Sequence, residues 1–307
     1  MKFTRSLIAL LALAVLAGVA QADDPQEIVF IFQKQKDPAQ IQATADKVAA
    51  WLSKEIGKPV KTVVPGDYSA SVQALVSKKA DFAYVSAMPF LLARRDGNAT
   101  LLLAEQRTDA TGTPRTEYDS IWVVRADSDI NSFEDIKAKA GDLRMVFTSP
   151  TSTSGYIMAY DRMVKEGMLK PGDDPRGVFK SATFGNGYTQ ALEQVAAGRA
   201  DVCTVSDYTM EGPRVDVYLD KEQRDKLKVV ARTPGVPTHL IAARDGLSDE
   251  LKQKVADALL KLSQEQPELL ADVYGASAFV KVDENQHVKH AIEAIEYVNL
   301  PIEKLAR

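Results

Sequence analysis

Residues 67–87, DYSASVQALVSKKADFAYVSA, and residues 187–207, GYTQALEQVAAGRADVCTVSD, are two copies of one pattern set 120 positions apart. Tyr68 falls on Tyr188, Ala80-Asp81 on Ala200-Asp201, and Val85-Ser86 on Val205-Ser206. In each copy, apolar residues recur at helical spacing (Val72, Leu75, Val76; Leu192, Val195, Ala196). A short polar turn follows, then an apolar run suited to a buried strand, Phe82 to Val85 or Val202 to Val205. A helix-turn-strand unit cannot cover its own apolar helix face and needs a sheet beside it. Two units this far apart therefore predict two α/β lobes of similar build.

The flanking sequence extends this pattern. EIVFIFQKQ from Glu27 reads as an opening strand, and PAQIQATADKVAAWLSKEIG as an amphipathic helix with Ile41, Ala45, Val48, Trp51 and Leu52 on one face. KPVKTVVPG supplies a second strand, and Ser120 to Val124 a strand followed by a helix after Asn131-Ser132. DLRMVFTSP is a further strand. After Leu227 come a strand, a proline-marked crossing, another strand and a helix opened by Ser248. The chain is expected to pass between lobes near Arg125–Asp127 and again near Arg232–Thr238, which makes a two-strand hinge. The expected division is 1–22 leader, 23–126 first lobe, 127–231 second lobe, and 232–307 the returning part of the first lobe.

The leader reading rests on Lys2 and Arg5, an apolar stretch from Leu7 to Ala20, and Ala20-Gln21-Ala22 as a small-x-small cleavage site. At about fourteen residues, the apolar stretch falls short of the ~20 that a membrane-spanning helix needs. A cleaved signal, a periplasmic location and a soluble monomer without stable membrane insertion are expected. The 38 basic residues lose Lys2 and Arg5 with the leader, which leaves 36 against 42 acidic ones and a net charge of −6. That balance argues against nucleic acid as a partner, so an anion would have to be held by a local site. Cys203 is the only cysteine and sits in an apolar run, which excludes a disulfide framework and predicts a buried structural thiol. About 285 remaining residues exceed the size at which one core keeps growing, in agreement with two lobes.

Between the strand RMVF and a helical run lies Ser149-Pro150-Thr151-Ser152-Thr153-Ser154-Gly155, five hydroxyls in seven positions. The following helix has Ile157, Tyr160, Met163 and Val164 as its apolar face. Capping a helix takes one side-chain oxygen. The surplus hydroxyls are either solvated loop or, with the unpartnered first amides and the positive end of the helix dipole, a neutral cradle for an oxyanion, which Gly155 would let the backbone approach closely. The loop also follows a strand, at the sheet edge where open α/β folds place ligands. Gly187-Tyr188-Thr189 opens a helix in the same lobe and Tyr68-Ser69 opens its counterpart in the other, so two lobes could present helix starts to one cleft.

Asp67-Tyr68, ADFAYVSA, YDSIWVVRADSDINSFEDIK, STSGY from Ser152, the glycine-Tyr188 helix start and ADVCTVSDY resemble, in that order, the substrate-binding proteins of phosphonate, phosphite and phosphate ABC importers. The likeness runs from about Ile28 to Leu262. It implies a type II periplasmic-binding-protein fold, closing over a phosphorus oxyanion and delivering it to a membrane permease without a cofactor. It further implies that Ser152, Thr153 and Ser154 hold the phosphonate oxygens, with Tyr68 and Tyr118 as flanking aromatics. Tyr188 stands where relatives often carry histidine, and Asp207 where they often place an acid or amide in the pocket.

Other residues carry less. His239 in the second crossing is read as hinge filling, Tyr84 as core, and His287 and His290 as solvated positions on a terminal surface helix. No G-x-S-x-G elbow, phosphate-binding G-x-x-x-x-G-K-[ST] loop or H-E-x-x-H metal spacing is present, and no base is placed beside Ser152 or Ser154, so no enzyme activity is expected. Two alternatives keep the fold: a free ligand sensor that hands its bound form to a membrane receptor, and a binding protein for another small anion such as sulfate or a carboxylate.

Overall fold

The computed structural model describes residues 23–300; the expected leader, 1–22, lies outside the described residues. In chain order the first elements are β1 (Ile28–Phe32), α1 (Pro38–Ile56), β2 (Val60–Val63), α2 (Tyr68–Val76), β3 (Phe82–Val85), α3 (Ala87–Gly97), β4 (Thr100–Thr108), β5 (Pro114–Arg115) and β6 (Glu117–Arg125). Then follow α4 (Phe133–Lys139), β7 (Arg144–Phe147), a π-helical turn (Thr153–Met158) running into α5 (Ala159–Lys165), β8 (Ser181–Phe184), α6 (Tyr188–Ala196) and β9 (Val202–Ser206). The chain continues through α7 (Lys221–Arg224), β10 (Leu227–Pro237), β11 (Leu240–Ala243), α8 (Asp249–Glu265), α9 (Pro267–Tyr274), β12 (Ala278–Val280), α10 (Glu284–His287) and α11 (Lys289–Tyr297).

Two sheets organise two lobes. The first runs β12-β4-β11-β3-β1-β2 with β5 attached to β4, and the second runs β10-β6-β9-β7-β8. The repeated units take equivalent places: β3 lies between parallel β1 and antiparallel β11, and β9 between parallel β7 and antiparallel β6. The aspartate they share explains why. Asp81 accepts the Val29 amide at 2.8 Å and returns its own amide to the Val29 carbonyl, and Asp201 makes the same pair of bonds with Arg144. In both lobes the carboxylate pins the start of the first parallel strand beside the repeat strand. Arg244 and Arg144 then hold the two carboxylates in ion pairs.

Helix ends follow local chemistry. Asp37 caps α1 through the Ala39 and Gln40 amides, Asp67 caps α2 through Ala70, and Ser248 caps α8 through Leu251. α1 buries Ile41, Ala45, Val48, Ala49, Leu52 and Ile56 against the first sheet, α8 and α9. Cys203 is fully buried in β9, and burial raises its thiol far above the usual range.

The expected crossing at Arg125–Asp127 requires correction. β6 belongs to the second sheet from Glu117 onward, paired antiparallel with β10 along nearly its whole length and with β9 on its other side. An apolar strand reveals that it is buried but not which sheet buries it. The chain therefore crosses between Arg115 and Glu117 and returns between Pro237 and Leu240, the latter at the far end of the expected Arg232–Thr238 span. The two linkers are tied together, since the Thr238 amide and hydroxyl both donate to the Thr116 carbonyl at 3.0 Å. Within the span expected to rejoin the first lobe, α8 and β12 do so, whereas α11 packs on α5, the π-turn and β10 of the second.

His287 is likewise not solvated. It is buried, with Nε2 3.0 Å from the Thr238 carbonyl in the hinge, while His290 is half exposed and faces Glu117 at 3.5 Å. His239 is fully buried at the start of β11, ringed by Tyr84, Tyr118, Tyr208 and Tyr274. Burial, with Arg107 and His287 nearby, holds the His239 imidazole well below its ordinary value, and burial lowers His287 as well.

The π-turn has a local cause. The Gly155 carbonyl is drawn out of the helix by the Thr148 amide (3.2 Å) and the Thr204 hydroxyl (2.8 Å), and the Ile157 amide reaches back five residues to Ser152. A Cβ at Gly155 would lie 2.1 Å from the Thr148 hydroxyl and 2.9 Å from the Thr204 carbonyl, with backbone unable to yield. Gly155→Ala should therefore lower the unfolding free energy by about 1–3 kcal/mol in a urea titration; an unchanged midpoint would show that this turn relaxes freely. A second expectation concerns pH. The unfolded chain protonates its histidines first, so stability is complete above about pH 6.5 and declines below it. The melting temperature should fall from about pH 6.5 to 5, and His239→Gln should flatten that fall; an identical profile in the variant would contradict the assignment.

Candidate functional site

The strand ends of both sheets deliver polar side chains to the interlobe cleft. From the first lobe come Gln33 and Gln35 after β1, Tyr68 at the start of α2, Ser86 after β3, and His239 leading into β11. From the second come Tyr118 and Ser120 on β6, Ser152 to Ser154 after β7, Tyr188 opening α6, and Ser206 ending β9. Tyr68, Ser152, Thr153, Ser154, Tyr188 and Ser206 have no exposed surface and Tyr118 has 2 %, so the cleft is closed around them.

Ser154 is the centre of the cluster. Its Oγ lies 2.9 Å from Ser206 Oγ and 3.2 Å from the Tyr188 hydroxyl, and its carbonyl accepts from Ser120 at 2.7 Å. Tyr118 stands beside Ser154, Ser206 and Tyr188, and Tyr68 beside Tyr188, Gln33 and Tyr118. Neither the Tyr68 nor the Tyr118 hydroxyl has a well-formed hydrogen bond within the protein, and the same holds for Gln35 Nε2 and His239 Nε2. Burial pushes the Tyr68 and Tyr118 phenols well above their ordinary range, so both are neutral donors near neutral pH. Buried hydroxyls from opposite lobes thus converge with unused donor capacity, the arrangement that a ligand rich in acceptors satisfies.

The three central hydroxyls of the Ser-Thr row have separate duties. Ser152 Oγ accepts the Gly155 amide at 3.1 Å as the cap of the π-turn, which directs its own proton away from the helix. Thr153 Oγ1 accepts the Met88 amide of the first lobe at 2.9 Å. Ser154 joins the tyrosine cluster. The amides of Thr153 and Ser154 belong to the first helical turn, which has no internal acceptors.

Asp207 stands apart from this cluster. One carboxylate oxygen accepts the Tyr208 amide at 2.7 Å and the other faces Arg115 of the first lobe at 3.2 Å; burial raises its carboxyl above the usual aspartate range. It lines a hinge-side cavity of ≈ 220 Å³ with Arg107, Arg115, Tyr118 and Tyr208. Arg107 is not free either: it pairs with Glu105, donates to the Tyr274 carbonyl, and stacks over Tyr208 at 3.5 Å. Tyr84 is core, bonded to Glu105. Gln33, Gln35, Ser86 and Ser206 are site residues that the sequence reading does not single out; the Ser86–Ser206 match in the repeat and the position of the two glutamines just past β1 are the signals that could have found them. Among the described residues, no group of three or more His, Cys, Asp or Glu side chains is placed to hold a metal, and no helix is long and apolar enough to cross a membrane.

Comparison with known proteins agrees with this architecture. A family model described as "ABC transporter, phosphonate, periplasmic substrate-binding protein" matches residues 30–287. The chain is 25 % identical over 240 residues to the phosphate-import protein PhnD of Mycolicibacterium smegmatis, covering 75 % of this chain and 70 % of the relative. It is 27 % identical over 206 residues to the phosphonates-binding periplasmic protein of Escherichia coli, covering 67 % and 57 %. Its fold is similar to that of a binding-protein component of an ABC phosphonate transporter from Pseudomonas aeruginosa (TM-score 0.76, 24 % identity, 92 % and 95 % covered). It is also similar to PhnD1 of Prochlorococcus marinus, solved with methylphosphonate (TM-score 0.75, 18 % identity, 90 % and 99 % covered). The chain belongs to the family of periplasmic substrate-binding proteins of phosphonate ABC transporters.

Proposed function

We propose that this protein captures a small phosphorus oxyanion between its lobes and delivers it, unchanged, to a membrane permease. The single observation that supports this reading most is the buried convergence of the bonded Ser154, Tyr188 and Ser206 hydroxyls with those of Tyr68 and Tyr118, which have no well-formed partner within the protein. The oxyanion would accept from the hydroxyls of Ser152, Ser154, Tyr68, Tyr118 and Tyr188 and from the amides of Thr153 and Ser154. None of these donors is charged, so recognition would rest on hydrogen bonds assisted by the ligand's own charge. Both lobes touch the ligand only when closed, which couples binding to closure.

Asp207 narrows the ligand. Its carboxylate is engaged by Arg115 and the Tyr208 amide, so a ligand amine finds no free acid there. A protonated phosphorus oxygen likewise meets a site dominated by donors. The reading favours phosphite or methylphosphonate over 2-aminoethylphosphonate and phosphate. Action as a free monomer after removal of 1–22 is part of the same proposal.

Titration calorimetry with these four compounds tests it. Heat of binding is expected from phosphite or methylphosphonate, weakened by about 1.5–3 kcal/mol in Ser154→Ala, the range for a charge-assisted hydrogen bond. Tyr68→Phe should weaken binding from the opposite lobe. No heat from any of the four would overturn the ligand class, and full affinity in both variants would remove the cleft as the site.

A further inference from the structure

Two helices at the cleft have no side-chain cap of their own, although their starts are buried. α3 begins after Ser86, which makes no side-chain cap bond, and α6 begins after Gly187, which has no side chain to offer. Elsewhere Asp37, Asp67, Ser132 and Ser248 supply such caps. The repeat sharpens the contrast, because Asp67 caps α2 while Gly187, its equivalent, leaves α6 open.

Both uncapped helices are capped by the opposite lobe. The Gln35 carbonyl of the first lobe accepts the first two α6 amides, Tyr188 at 2.8 Å and Thr189 at 3.4 Å. The Thr153 hydroxyl of the second lobe accepts the Met88 amide of α3 at 2.9 Å. A third bond joins repeat-equivalent positions: Asn186 Nδ2 donates to the Gly66 carbonyl at 3.1 Å. Gly187 suits the approach: its φ is +153°, and a Cβ there would lie 2.0 Å from Gln190 Oε1, a flexible side chain of α6 itself, and 3.3 Å from the Gln35 carbonyl.

We propose that reciprocal helix capping across the cleft is a ligand-independent latch, with Gln35, Thr153 and Gly187 as its positioning residues. Opening the lobes strips acceptors from α3 and α6 at once, and closing restores them whether or not a ligand is bound. The α6 start is thereby spent on closure rather than on the oxyanion, and the Thr153 side chain acts on affinity through the closed-state population. Only the affinity arm of the test below rests on the proposed ligand.

Spin labels at Lys79→Cys and Lys180→Cys, exposed positions on the two lobes, report the interlobe distance by pulsed electron resonance. Without ligand, the wild-type protein should show a closed population, and Thr153→Val, which keeps shape and amide but removes the acceptor, should reduce the closed-to-open ratio about fivefold. Gly187→Ala, checked for folding by circular dichroism, should reduce it in the same direction. Phosphite and methylphosphonate affinities should fall by one common factor in Thr153→Val. A closed-to-open ratio unchanged in Thr153→Val overturns the latch, as does the absence of a closed population in the ligand-free wild-type protein. Unequal loss for the two ligands would reassign the Thr153 hydroxyl to direct ligand contact and overturn it too. Failure of all ligands to bind, with the distance shift intact, would count against the ligand class and leave the latch supported.

Discussion

Amide hydrogens at the beginning of a helix need acceptors, and this protein distributes that need between two lobes. At α1, α2 and α8 the helix's own Asp or Ser answers. At α3 and α6 the answer comes from across the gap. Capping within and between the lobes, and the closure and recognition proposed for the cleft, draw on the same chemistry, the demand of buried N–H and O–H groups for oxygen.

The surrounding fold makes that demand precise in position. Two similar sheets aim their strand ends at one another, and Asp81 and Asp201 fix the strand starts that set those ends in register. The hinge is short, its two linkers bonded to each other through Thr238 and Thr116, with the His287 ring nitrogen against the Thr238 carbonyl. The site itself holds neutral donors, while the buried cation Arg107 is occupied by Glu105, Tyr208 and the Tyr274 carbonyl. On the proposed function, a chain of net negative charge would accept an anion without a cationic pocket, because short-range hydrogen bonds in an enclosed site outweigh the repulsion of distant, solvent-screened charges.

Much of this is legible in the sequence, and the reasons differ by element. The repeat predicts two lobes because helix-turn-strand units carry their own periodicity, and the Ser-Thr row stands out because it exceeds what a cap needs. The first crossing is misplaced by sequence because β6 looks the same whichever sheet receives it. His287 reads as solvated because helical spacing does not reveal that α10 ends against the hinge, with the ring at the Thr238 carbonyl. The π-turn is invisible because its cause, Thr148 and Thr204 pulling on the Gly155 carbonyl, is tertiary. The capping role of Gln35 escapes for a deeper reason: it is played by a main-chain carbonyl, which no side-chain pattern announces.

Hydroxyls and helix-start amides from both lobes are proposed to enclose an oxyanion at Ser152 to Ser154. A crystal structure grown with methylphosphonate tests it most directly. Phosphorus oxygens are expected within hydrogen-bond distance of the Ser154 and Tyr68 hydroxyls, with the Thr153 side chain still facing the Met88 amide. A ligand seated instead against Arg107 and Arg115 in the hinge-side cavity, with Ser154 turned away from it, would contradict the account.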